Sequence, residues 1–219
     1  AQLWDVPPLP PVKYARAADG IAATIGGESL HISVCRSSVI HFVASSEPSN
    51  AIRQSQPWML DAKDSCPGAK FEVSQTGDAA ILTTDKLKIE FSLKWGSVQF
   101  STASGENLLR ERNSVPRTYD PTALNGEKTF HVEDRFAPDF SEGLYGLGQH
   151  QSGMFNYRGA TVELAQNNTD VAIPLLLSSK GYALMWKTAW LTHVDMRLPL
   201  ELNLDSLAAH LIGYYFIDD

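Results

Sequence analysis

Between Lys86 and Lys94 the chain alternates with a period of two: Leu87, Ile89, Phe91 and Leu93 fall on one side, Lys88, Glu90, Ser92 and Lys94 on the other. A helix would scatter these apolar residues around its axis, whereas a strand gathers them on one face. The segment must be a half-buried antiparallel strand, and its apolar side needs a second layer to cover it. Trp95-Gly96 ends the run, Val98 and Phe100 begin a return strand, and Ser104-Gly105 forms a hairpin turn before Leu108-Leu109. The same period appears at 29–36, where Leu30, Ile32 and Val34 alternate with His31, Ser33 and Cys35. Further strand-type runs stand at 39–44, 80–83, 129–136, 161–165, 171–177, 182–186, 193–198 and 212–217. Residues 113–128 are polar, carry Pro116, Pro121 and Gly126, and read as a loop; 206–211 has room for one helical turn. Short strands punctuated by Gly, Pro and Ser predict an all-β fold, an antiparallel sandwich. The first fourteen residues read as irregular, because Pro7-Pro8-Leu9-Pro10-Pro11 forces extended backbone. The expected organisation is a Pro-rich extended lead-in over 1–19, lying along the surface, and one β-sandwich domain over 20–219.

Charge narrows the partners. The formal net charge is −7 and no basic run interrupts it, which excludes sequence-independent nucleic-acid binding and disfavours an anionic membrane surface. No stretch approaches the ~18 consecutive apolar residues of a membrane span. The chain opens Ala1-Gln2-Leu3 without a Met, which fits removal of an export signal and equally fits excision from a longer chain; the expected location is exported. Cys35 and Cys66 match no zinc spacing. They are either a disulfide of an exported protein, placed outside the main core on the face of His31 and Ser33, or two unrelated thiols.

The catalytic inventory is thin. Six histidines, at 31, 41, 131, 150, 193 and 210, form no ligand cluster, so no metal and no cofactor is expected. Gly146-Leu147-Gly148 lacks both the third glycine and the following helix of a dinucleotide loop. One segment stands apart. Residues 145–186 interleave Gly146, Gly148, Gly153, Gly159 and Gly181 with Tyr145, Phe155, Tyr157, Tyr182 and Trp186. They also hold the amides Gln149, Gln151, Asn156, Gln166, Asn167 and Asn168. Amides that donate and accept suit sugar hydroxyls, and aromatic faces suit sugar C–H patches. An Asn-rich turn between strands accounts for the same composition.

The runs Tyr145-Gly146-Leu147-Gly148-Gln149-His150-Gln151, Asn156-Tyr157-Arg158-Gly159 and Leu164-Ala165-Gln166-Asn167-Asn168-Thr169 resemble a family 31 glycoside hydrolase. Ile173-Pro174, Ser178-Ser179-Lys180-Gly181-Tyr182 and Trp186 continue the resemblance, which spans most of 20–217 and is densest at 144–186. It implies an N-terminal β-sandwich of the galactose-mutarotase-like, or supersandwich, type. In that family the domain packs on a C-terminal (β/α)8 barrel that carries an Asp nucleophile and an Asp acid/base for retaining cleavage of α-glycosides. The family's nucleophile motif, W-x-D-M-x-E, occurs nowhere in this chain, so no catalytic residue is assigned to it.

The resemblance further implies that a loop of this domain touches the non-reducing-end sugar of the carbohydrate substrate. The matching positions are Gln166, Asn167 and Asn168. Many α-glucosidases have an Arg-Asp pair there; the amides resemble the α-xylosidase-like branch. Ala183, where Gly is usual, and Lys187-Thr188, where an acidic or amide pair is common, depart from the pattern. Asn167-Asn168-Thr169 also reads as a glycosylation sequon, which a sugar-facing loop would make a chance match. An exposed apolar patch is expected where the barrel docks. Two rivals share the fold: a stand-alone carbohydrate-binding module, which needs an exposed aromatic platform, and an aldose mutarotase. The latter needs an acid and a base converging in a cleft, for which His131, His150 and His193, with Glu142 or Glu163, are the candidates.

Overall fold

The computed structural model describes residues 10–47, 66–187 and 190–218. Pro7 to Leu9 of the lead-in, and Thr188, lie outside the described residues. Four strands come first: β1 (Val12–Arg16), β2 (Gly20–Ile25), β3 (Glu28–Arg36) and β4 (Val39–Ser45). A meander follows, of β5 (Glu72–Thr76), β6 (Ala79–Thr83), β7 (Leu87–Ser92), β8 (Val98–Thr102) and β9 (Asn107–Arg110). Then come β10 (Arg117–Leu124), β11 (Glu127–Phe136), β12 (Leu144–Gln149), β13 (Thr161–Leu164) and β14 (Val171–Ser178). The last are β15 (Tyr182–Trp186), β16 (Thr192–Asp195), β17 (Leu202–Ala209) and β18 (Ile212–Asp218). No helix is found among the described residues.

The strands form an eight-stranded sheet, β1-β2-β3-β4-β18-β15-β14-β12, and two five-stranded sheets, β10-β11-β17-β16-β13 and β5-β6-β7-β8-β9. Alternation dictates the layering. On β7, Leu87, Ile89 and Phe91 are buried and the residues between them half-buried; on β15, Tyr182, Leu184 and Trp186 are the buried set. Tyr214 of β18 stacks on Phe42 of β4 and meets both Phe100 of β8 and Phe136 of β11 edge-on. Both smaller sheets therefore lie on the same face of the large one, and a single core runs between the two layers. Burial of this aromatic set is the main stabilising term, at roughly 1.5–3 kcal/mol for each large apolar side chain fully removed from water.

A buried polar knot ties the three sheets together. The Arg117 guanidinium donates to Glu28 Oε1 at 2.7 Å and Oε2 at 3.1 Å, to Glu111 Oε2, and to the Gly96 carbonyl at 2.8 Å. Glu111 Oε2 also accepts from Val98 N–H at 2.8 Å, and Tyr119 donates to Glu28. Burial works against the Arg117 charge, but Glu111 and Glu28 together hold it well above its ordinary value. Burial also pushes the Glu111 carboxyl up, against the pull of Arg117. Asp134, at the edge of this knot, is pushed well up by burial and by Glu111; neither of its oxygens has a hydrogen-bond partner among the described residues. Burial and the neighbouring carboxylates outweigh the pull of Arg117 and of the Arg135 backbone N–H, so the neutral acid is favoured over the anion.

Cys35 and Cys66 are bonded. Cys35 sits at the bulge between Val34 and Arg36, outside the main core cluster, so the disulfide alternative is the one the fold adopts. Three local readings change. Residues 113–116 are irregular, but from Arg117 on the expected loop is a hairpin: β10 pairs along its whole length with β11, closed by Asn125 (φ +51°) and Gly126 (φ +86°). It is an edge strand wet on both faces, so it shows no alternation, and an edge tolerates Pro121. Residues 206–209 are strand rather than helical turn, because Ser206 is drawn inward by Trp186 Nε1–H at 2.8 Å and by Thr192. Finally, Val12 to Tyr14, read as irregular, are strand: β1 pairs with β2 from Val12 on.

Candidate functional site

The edge strand β12 and the connection from β13 to β14 build the candidate site. β12 lies so close to β14 that a Cβ on Gly148 would sit 1.9 Å from the Val171 carbonyl oxygen, and one on Gly146 2.4 Å from that of Leu175. Both residues have positive φ, +99° and +92°. The pairing register shifts between them, so β12 bends at a bulge. This explains the Gly-x-Gly that the sequence displays: close backbone approach, not phosphate binding.

Gln166, Asn167 and Asn168 lie together on the connection and all three are exposed. Their roles differ. The Gln166 amide is used within the loop: Nε2–H donates to the Asp170 carbonyl at 3.0 Å and Oε1 accepts from Ala172 N–H at 3.3 Å. Asp170 N–H donates to the Asn167 carbonyl at 3.3 Å. Gln151, leaving β12, donates its backbone N–H to Asp170 Oδ1 at 3.2 Å and its side-chain amide to Thr169. The loop is thus braced from inside and from β12. The Asn167 and Asn168 side chains have no hydrogen bond to any described residue and face solvent. Asn156, by contrast, is structural: its Oδ1 accepts from Leu144 N–H and Arg158 N–H, each at 3.1 Å.

An apolar stripe runs along the same sheet edge. Phe155 is 83% exposed and Phe140 69% exposed, with Met154, Ile173 and Leu177 also open to solvent. Tyr145 joins them, its ring 5.0 Å from that of Phe155 and its backbone paired with Leu177. Arg158 holds the Phe140 end by donating to the Phe140 and Asp139 carbonyls. Exposed apolar side chains therefore gather at this edge. Phe155 and Tyr145 are legible in the sequence as part of the aromatic interleave; Phe140 and Met154 carry no such signal.

Two of the three candidate histidines share one sheet row, and His150 stands apart. His131 pairs with Asp205 and His193 with Glu163 at 3.2 Å, each on the open face of the β11-β17-β16-β13 strands. His150 is directed at the Leu147 carbonyl at 2.8 Å and meets Tyr157 edge-on. Glu142 is buried as an acceptor for Ser178 Oγ–H at 2.6 Å, Tyr182 O–H and Asp139 N–H at 2.8 Å. The row from His131 through Asp205 and His193 to Glu163 is part-exposed on a sheet face rather than enclosed in a cleft, as mutarotation needs. Among the described residues no group of three or more His, Cys, Asp or Glu could hold a metal ion.

Fold and edge together define a class: an antiparallel supersandwich that carries a braced amide loop and exposed apolar side chains at the β12 edge. The profile of the glycosyl hydrolase 31 N-terminal galactose mutarotase-like domain matches residues 29–195. The chain belongs to that family. It is 32% identical over 142 residues to an alpha-xylosidase of Saccharolobus solfataricus, covering 59% of this chain and 19% of that protein. It is 42% identical over 135 residues to an uncharacterized family 31 glucosidase of Pseudescherichia vulneris, covering 52% of this chain and 25% of that one. Among solved structures, the GH31 alpha-xylosidase of Xanthomonas citri superposes with a TM-score of 0.74 at 32% identity, over 83% of this chain and 20% of that chain. A GH31 alpha-xylosidase from a soil metagenome, complexed with xylose, gives a TM-score of 0.80 over 94% of this chain and 32% of that chain. At 21% identity that second likeness shows the fold. The chain spans a quarter or less of the length of the curated relatives named here.

Proposed function

We propose that this chain is the N-terminal β-sandwich of a retaining α-glycosidase of the α-xylosidase-like branch. In this reading it packs on a C-terminal (β/α)8 barrel through the Tyr145–Phe155–Leu177 stripe, and its amide loop forms one wall of the sugar pocket. The chemistry belongs to the barrel; this domain positions the sugar. The observation that carries the reading is the division of labour in the loop. Gln166 holds the backbone, which leaves the Asn167 and Asn168 amides free to donate and accept. The apolar stripe on the same edge supports a docked neighbour, because an exposed cluster of this kind marks an interaction surface. The named alpha-xylosidases among the relatives support the branch. An exported location is supported by the Cys35–Cys66 bond, since such bonds persist in oxidising compartments.

The test compares the 219-residue chain with the longer protein whose reading frame contains it, on a chromogenic α-xyloside and an α-glucoside. The longer protein is expected to hydrolyse the xyloside preferentially and the shorter one neither. In the longer protein, Asn167→Ala and Asn168→Ala should each raise KM by roughly 2- to 12-fold, the worth of one hydrogen bond, without lowering Tm. Hydrolysis by the short chain, or kinetics indifferent to both substitutions, would refute the reading.

A further inference from the structure

The third sheet carries a cavity that the candidate loop does not account for. It has a volume of about 230 Å³ and opens on the outer face of β7, β8 and β9, with Trp95, Glu90, Gln99, Arg110, Asn113 and Asp78 in its lining. From these residues we infer a second carbohydrate-binding site, one that takes a neutral mono- or disaccharide.

Three features point to that ligand. The first is the register, which sets Glu90 directly across from Gln99, and Gln99 directly across from Arg110. Three neighbouring strands thus present an acceptor, an amide and a planar donor fork in one row, over roughly 10 Å. The Gln99 and Arg110 side chains make no hydrogen bond to any described residue, so their capacity is open. The second is the aromatic wall. The Trp95 main chain is held at the β7–β8 turn by its backbone N–H, which donates to Ser92 Oγ at 3.0 Å, and Lys94 Nζ lies 4.7 Å from the indole ring centroid. Gly96 makes the turn possible at φ +67°, where a Cβ would come within 2.1 Å of Ile25 Cδ1. The turn therefore places Trp95 beside the polar row, as a ligand with an apolar C–H face and a hydroxyl rim requires. The third is charge. Asp78 and Glu90 are opposed by Arg110 and by Lys88, which pairs with Glu90, and Glu111, also in the lining, is paired with Arg117, so neither an anion nor a cation is preferred. The volume, about 230 Å³, is on the scale of a small ligand.

The site lies on β7–β9, whereas Asn167 and Asn168 lie between β13 and β14, in a sheet arrangement that shares no strand with it. It does not depend on the role proposed for those amides. The test is a titration of the isotope-labelled 219-residue chain with D-xylose, methyl α-D-xyloside, D-glucose and isomaltose, with the acyclic polyol sorbitol as control. The expected result is a saturable shift of the Trp95 indole N–H and the Gln99 amide with a cyclic sugar and not with sorbitol. Trp95→Ala should weaken binding roughly ten-fold. Gln99→Ala and Arg110→Ala, at surface positions that leave the turn intact, should each weaken it several-fold, and Asn167→Ala should leave it unchanged. No saturable shift at either group, an equal response to sorbitol, or binding indifferent to Gln99→Ala and Arg110→Ala would each overturn the inference.

Discussion

Replacing Arg117 by Met tests the buried knot. The substitution keeps the aliphatic length and removes the guanidinium that joins Glu28, Glu111 and the Gly96 carbonyl. Glu111 is left buried with only Val98 N–H and Tyr214 O–H as partners. Breaking a buried pair by removing one member costs about 3–5 kcal/mol. For a chain of this size that is a fall in Tm of roughly 6–20 °C. The pH dependence gives the sharper check. Burial already holds Glu111 above its ordinary value, so near the carboxylate range the folded chain binds more protons than the unfolded one. Its contribution therefore falls as pH rises through that range. Without Arg117 the upward push on Glu111, and on Asp134 beside it, grows. The stability gap between wild type and variant should open between about pH 4 and about pH 7. Thermal melts by circular dichroism at both pH values measure it. In a double-mutant cycle, Glu111→Gln should recover part of the loss, with a coupling of roughly 0.5–3 kcal/mol. A loss below about 1 kcal/mol that is equal at both pH values would show that the knot is not stabilising by charge pairing.

Two further perturbations probe the sheets. Burial, aided by Lys187 and His31, holds His41 down to about 3 from 6.5. Its stabilising contribution is therefore present above pH 6.5 and lost as pH falls from there toward about 3; His41→Phe, which keeps the stack on Tyr215, should flatten the acid limb of a Tm-against-pH curve, and an unchanged limb would exclude His41 as its source. Gly148→Ala places a Cβ against the Val171 carbonyl and should cost about 1–3 kcal/mol. Amide exchange along β12 and β14 should accelerate, and unaltered protection there would contradict the close approach.

What the sequence reveals depends on whether a segment has one wet face and one dry face. β7 and β3 do, and their alternation can be read directly. β10 is exposed over most of its length, so Thr118, Asp120 and Thr122 give no pattern; the Asn125-Gly126 pair is the signal that could have found it, as a hairpin turn. β17 is obscured by Ser206, a polar residue that is buried because Trp186 and Thr192 hydrogen-bond to it. In the candidate site, residue type and position are legible at Gln166, Asn167 and Asn168, but the division between a bracing Gln166 and two free asparagines is set by Asp170 and Ala172 and needs the loop's path. The knot of Glu28, Glu111, Arg117 and Asp134 is invisible from the sequence, because strand pairing across three sheets brings these residues together.

The position of β18 has a consequence for how the domain forms. It lies between β4 and β15, pairing Ile212 with Ala44 on one side and Trp186 with Tyr214 on the other. Until residues 212–218 leave the ribosome, the large sheet exists as two separate ribbons, β1–β4 and β15-β14-β12, with matching unpaired edges. Tyr214 and Phe216, which stack on Phe42 and Phe100, are made after every strand they join. Vectorial synthesis must therefore hold two open-edged ribbons apart and collapse them in one late, long-range step. Such non-local closure is slow, and the waiting ribbons are the species most open to self-association during translation.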